Sequence, residues 1–140
     1  MCGRQKLIDY LQKICGYLLS GETKEKKFFM LYGEKTNNGK STFISILNNI
    51  FGDYAEKLNP SSIIETRYNN QGAASPDIAK LNGTRLVTIS ELPENAKLDN
   101  TRLKIFSGGS DGIVARHLNE EEFNLEIQFK LVIALNNKSR

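Results

Sequence analysis

Apolar residues along this chain fall into blocks whose spacing marks out the elements. From Arg4 to Leu19 they recur at helical intervals, at Leu7, Ile8, Leu11, Ile14, Cys15, Leu18 and Leu19. That stripe predicts an N-terminal helix, within residues 1–21, packed on the body of the protein. Gly16 weakens it, and Ser20-Gly21 ends it. Beyond a charged linker, Glu22 to Lys27, the unbroken apolar run from Phe28 to Tyr32 predicts a strand buried on both faces, as in a parallel sheet. A polar loop bounded by Gly33 and Gly39 then leads through Lys40-Ser41-Thr42 into a second helical stripe. Its apolar positions are Phe43, Ile44, Leu47, Ile50 and Phe51, and Gly52 stops it.

The pattern continues with shorter elements. Tyr54 to Asn59 suits a short strand, and Pro60-Ser61-Ser62 turns the chain. Residues 66–74, TRYNNQGAA, are polar and glycine-containing and are expected to form a mobile loop. Ser75-Pro76-Asp77 signals a helix start and Gly83 its end. Arg85 to Leu92 predicts a second buried strand, with Glu91 at its C-terminal end, and Asp99 to Phe106 a short helix stopped by Gly108-Gly109. Between Gly112 and Gln128 the period falls to two, as Phe123, Leu125 and Ile127 alternate with Asn124, Glu126 and Gln128. This predicts a β-hairpin with one apolar face. Phe129 to Leu135 follows as a third apolar strand, ending at Asn136-Asn137-Lys138. The expected class is α/β, a parallel sheet between helices, with a hairpin before the last strand.

Composition narrows this reading without redirecting it. At 140 residues the chain suits a single domain with its own core, 1–140. No segment reaches membrane-helix length, and the N-terminus lacks a signal-peptide pattern. Cys2 and Cys15 fit no metal or redox spacing, so reduced thiols in a cytoplasmic setting are expected. A net charge of +3 permits a nucleic-acid partner but does not demand one. The cluster Lys24, Lys26 and Lys27 reads as a solvated loop.

The chemistry lies in the order strand, glycine loop, helix. Backbone N–H groups of such a loop and the positive helix N-terminus face an anion. Here Gly33, Asn38, Gly39, Lys40, Ser41 and Thr42 form the cradle, with Lys40 on the β/γ-phosphates of ATP and Ser41 on Mg²⁺. Glu34 to Asn38 make the loop one residue longer than the standard spacing, and Glu34 occupies the place of the first glycine. The plainer reading is a glycine-rich turn; Gly-Lys-Ser-Thr between a buried strand and an amphipathic helix favours the cradle. In an open parallel sheet the strand C-termini share one edge, so Lys40, Ser41, Glu91 and Asn136 are expected to converge there. Glu91 would polarise an attacking water, and Asn136 would orient it or sense the phosphate. Taken singly, Glu91 also reads as a solvent-facing strand end and Asn136 as a turn former.

These motifs together resemble the ATPase domain of phage and plasmid primase–helicases, the poxvirus-type branch of the superfamily 3 helicases. The resemblance runs through LIDYLQKICGYLLSG, FMLYGEKTNNGKST, GDYAEKLNPSS, ASPDIAKLNGTRLVTISE, SGGSDGIVARHL and QFKLVIALNNKS. It implies a P-loop fold of the ASCE, AAA+-like kind, with a three-layer arrangement of sheet and helices. It further implies assembly as a ring, usually a hexamer, and ATP-driven translocation on single-stranded DNA in a phage- or mobile-element-encoded protein of a bacterial host. Under it, Lys40 and Ser41 take the phosphate and Mg²⁺ positions, Glu91 the acidic second motif and Asn136 the sensor. Gly108 to Leu118 matches the DNA-contacting hairpin, with Arg116 and His117 as contacts and Lys104 a further candidate; a plain surface hairpin is the competing reading. Ser90 stands where many such ATPases carry a second acidic residue, so Glu91 is left with two roles, base or outer-sphere Mg²⁺ ligand. The family continues to an arginine finger and a helical tail, so this chain is expected to be a fragment of a larger replication protein and slow in turnover by itself. A P-loop small-molecule kinase and a non-hydrolysing nucleotide-binding remnant are the rival readings.

Overall fold

The structure, a computed structural model, describes residues 4–33, 38–65, 76–93, 95–109, 112–117 and 119–135. A four-stranded parallel sheet is its centre, built from β1 (Phe29–Tyr32), β2 (Ala55–Lys57), β3 (Leu86–Ile89) and β6 (Lys130–Leu135) in the order β1-β6-β3-β2. The apolar strands β3 and β6 take the middle and are buried along their whole length. Alternation then sorts their side chains onto two faces. Leu86, Val132 and Ala134 meet Leu18 of α1 (Gln5–Leu19) and Ile44, Leu47 and Phe51 of α2 (Lys40–Phe51). On the other face Val87, Ile89, Leu131 and Ile133 meet Ile78 of α3 (Pro76–Ala79), Leu103 of α4 (Asn100–Lys104) and the hairpin β4 (Ile113–Arg116) and β5 (Glu122–Leu125). The molecule is thus α/β, with a parallel sheet and flanking helices, as its apolar spacing predicts.

Burial departs from the expectation at two elements. β1 is not buried on both faces: Phe29 and Leu31 are half-buried, while Met30 is 45% and Tyr32 43% exposed. The strand order explains this, since β1 pairs with β6 alone among the described residues and stands at the sheet edge. Likewise only the C-terminal half of the α1 stripe packs. Leu18 is fully buried with Ile14 and Cys15 beside it, whereas Leu7 toward the N-terminus is exposed, as are Leu19 at the last position and Tyr10 off the stripe.

Several boundaries also shift. β3 stops at Ile89, short of Glu91. The helix starting at Pro76 makes one turn, and its expected cap, Ser75, lies outside the described residues, as does the loop 66–74. At α4 the Asp99 carboxylate accepts from Thr101 N–H at 2.9 Å and Arg102 N–H at 3.1 Å, so the cap precedes the helix. A π-turn, Ile105–Gly109, leads from α4 toward the hairpin. Lys130 interrupts the last apolar run and is 1% exposed. Its ammonium donates to the Ser20 carbonyl and to Ser20 Oγ at 3.1 Å, and lies 4.6 Å from the centre of the Tyr17 ring. The C-terminus of α1 is thereby fastened to the start of β6, where free helix carbonyls favour a cation.

Candidate nucleotide and nucleic-acid site

The loop between β1 and α2 is drawn together at its base. Gly33 N–H donates to the Leu135 carbonyl at 3.2 Å, so the end of β1 is joined to the last residue of β6. Lys40, first residue of α2, folds back and donates through Nζ to Gly33 O at 2.9 Å and Asn38 Oδ1 at 3.0 Å. A methyl group at 33 would displace the Asn38 amide and sit 3.3 Å from Lys40 Nζ, so the absent side chain leaves room for both to fold over the loop. Gly39 precedes the helix in left-handed backbone, φ 86°, a conformation that turns the chain sharply into α2. Ser41 and Thr42 are exposed on the first turn of α2. Residues 34–37, including Glu34, lie outside the described residues.

Glu91 stands two residues past β3, exposed, with φ 62°. Parallel pairing of β1 with β6 and of β6 with β3 sets the loop, Leu135 and the Ser90-Glu91 segment along one edge of the sheet. Asn136 follows Leu135 directly but lies outside the described residues. A second link between α2 and β3 is absent from the sequence reading. Asn48 of α2 and Thr88 of β3 approach each other at 3.5 Å through both amide atoms of Asn48. Its only signal in the sequence is a threonine inside the apolar run RLVTISEL.

The hairpin candidates separate in space. Arg116 is exposed and opposite Glu122, whereas His117 is half-buried and stacks on Phe123, with ring centroids 5.5 Å apart and planes 20° from parallel. Arg116 is the last residue of β4 and His117 follows it, so the two side chains sit in different surroundings, one open to solvent and one against Phe123. Phe123 is a partner the sequence reading does not assign. Lys104 is exposed at the end of α4, and Leu118 lies outside the described residues.

The Lys40 amine is thus held against the glycine loop by two oxygen acceptors, Gly33 O and Asn38 Oδ1. Residues 31–140 match the family described as "Family of unknown function (DUF5906)". The chain belongs to this family. The DUF5906 match takes in Gly33 to Thr42, Glu91, the hairpin and Asn136, and leaves out α1. The chain is similar, at 33% identity over 124 residues, to a Sputnik virophage protein named "Putative helicase V13"; the alignment covers 84% of this chain and 15% of that one. It also resembles the apo A-form structure of the NrS-1 C-terminal region, 305–718, with a TM-score of 0.65 and 16% identity. That superposition spans 96% of this chain and 29% of the NrS-1 chain, and bears on the fold alone. Among the described residues no helix of the DUF5906 chain is long and apolar enough to cross a membrane.

Proposed function

We propose that this chain is the ATP-binding and ATP-hydrolysing motor module of a replicative DNA helicase of the phage and plasmid primase–helicase type, with a P-loop fold of the ASCE kind. The observation that supports it most is the strand order β1-β6-β3, tied at its edge by the Gly33–Leu135 bond. This order sets the glycine loop, the residue before Asn136 and Glu91 side by side, as nucleotide hydrolysis needs. The virophage relative's name supports the helicase direction.

In this reading the loop amides and Lys40 hold the phosphates, and Lys40 exchanges its contacts with Gly33 O and Asn38 Oδ1 for phosphate oxygens. Ser41 Oγ and the Glu91 carboxylate would hold Mg²⁺. They are hard oxygen donors, exposed at the same edge, and Mg²⁺ accepts such a sparse protein set because phosphates and waters complete its shell. When bound, the ion neutralises phosphate charge. Glu91 takes a proton from the attacking water or steadies the water shell of the ion, and Asn136 orients the water. Arg116, His117 and Lys104 would face single-stranded DNA, and assembly as a ring in the host cytoplasm completes the proposal.

The test is ATP affinity and turnover, with and without single-stranded DNA, on wild type, Lys40→Ala and Arg116→Ala. Lys40→Ala is expected to lose nucleotide binding with the fold intact. Arg116→Ala is expected to weaken DNA binding similarly on all sequences, with a salt slope smaller by about one. Unchanged ATP affinity and turnover in Lys40→Ala would remove the nucleotide site from this loop.

A further inference from the structure

Beside the loop runs a groove of about 500 Å³, within the usual ~300–1,000 Å³ of small-molecule sites. Tyr10 and Leu11 of α1, Leu31 of β1, Phe43 of α2, and Gly39 and Lys40 are among the residues that line it. The groove exists because α1 packs only through its C-terminal half. Leu18 is buried against α2 and the sheet, while Tyr10, two helical turns earlier, is 57% exposed. The Tyr10 ring is left uncovered in this groove, next to a candidate anion site.

Two chemistries therefore share one cavity. Among its lining, Lys40 and the first turn of the 12-residue helix α2 suit an anion. The remainder is apolar and aromatic and suits a flat heterocycle. A free phosphate would leave the apolar part unfilled. A heterocyclic base joined to phosphates matches both chemistries at once. We infer that this groove takes the base of the bound nucleotide, with Tyr10 as the ring on which the base stacks and Phe43 as the wall from the other helix. The inference rests on the reading of the loop as a phosphate cradle, and adds the site of base recognition to it.

The experiment measures equilibrium binding of ATP and of inorganic tripolyphosphate, both with Mg²⁺, to wild type, Tyr10→Ala, Tyr10→Trp and Lys40→Ala. Thermal melts and solution mass are recorded for each. Base–aromatic stacking is sequence-tolerant and substantial, so Tyr10→Ala is expected to weaken ATP about tenfold or more while leaving tripolyphosphate unchanged. Tyr10→Trp should restore ATP affinity, and Lys40→Ala should weaken both ligands. If Lys40→Ala weakens both but Tyr10→Ala alters neither, the cradle stands and the base groove is overturned. Equal loss of both ligands in Tyr10→Ala would assign the tyrosine to folding instead. A change in solution mass on Tyr10→Ala without loss of ATP affinity would make the groove a protein contact, and overturn the inference too. Should Lys40→Ala affect neither ligand, the cradle reading falls and the groove assignment with it.

Discussion

Glu91 holds an unusual backbone for its residue type. A non-glycine side chain in the left-handed region costs about 1 kcal/mol or more, and such strain persists where the surrounding structure enforces it. Here it aims the chain off β3 immediately beyond Ile89, at the sheet edge that also carries the glycine loop. Two substitutions separate geometry from chemistry. Glu91→Gly is expected to raise unfolding free energy by roughly 0.5–1 kcal/mol, because glycine adopts this φ freely but costs more on ordering. It should also lose hydrolysis. Glu91→Gln is expected to keep ATP affinity and lose turnover, since the amide cannot accept a proton. Loss of binding together with turnover would instead assign Glu91 to Mg²⁺, and a lower melting temperature for Glu91→Gly would show that its side chain stabilises the turn. The sequence places this carboxylate after a buried strand, but a left-handed φ at glutamate leaves no mark in residue spacing.

Between elements, the joint of α1 with β6 is governed by Lys130. Burial, with Arg85 nearby, pulls its ammonium from the usual lysine range down to about 8, against a smaller opposing effect of Glu22. The folded chain thus releases this proton more readily than the unfolded chain. Between about pH 8 and the ordinary lysine value the unfolded state holds more protons, so this group makes stability rise with pH across that window. Below pH 8 its full penalty is present. Tyr17 acts in the opposite sense above its ordinary value, because burial raises its phenol. Thermal melts from pH 7 to 10 on wild type and Lys130→Met should show a relative gain for the wild type as pH rises. Parallel curves would mean that the lysine carries no such penalty.

The same scale shows what apolar spacing can and cannot reveal. Helix and strand order follow from it, because a stripe at Leu7 to Leu18 and a run at Leu131 to Leu135 each match one period. In Phe28 to Tyr32 every residue is apolar, so alternation is invisible there. The exposure of Met30 and Tyr32 is decided by strand order, which arises from pairing across the whole chain. The same holds for the stacking of His117 on Phe123, since facing partners on a hairpin depend on its register.

For the molecule as a whole, the legible part of the site is the part encoded locally: Gly33, Gly39 and Lys40 follow from a motif. Their joining to Leu135 and their alignment with Glu91 depend on tertiary pairing that no local window contains. That pairing also sets the order of events in folding. Phe29 and Val132 are neighbours in the sheet although about a hundred residues separate them, so closing the β1–β6 ladder carries a large loop-entropy cost. The loop and its helix can form early as local structure, but the edge that joins Gly33 to Leu135 can appear only once the distal strand has docked. Under the proposed function, competence to bind nucleotide is therefore expected to emerge in refolding with the slowest structural phase. Stopped-flow refolding followed by tyrosine fluorescence and by uptake of a labelled nucleotide should give coincident late phases, and on the ribosome the cradle stays unfinished until residue 135 has left the exit tunnel.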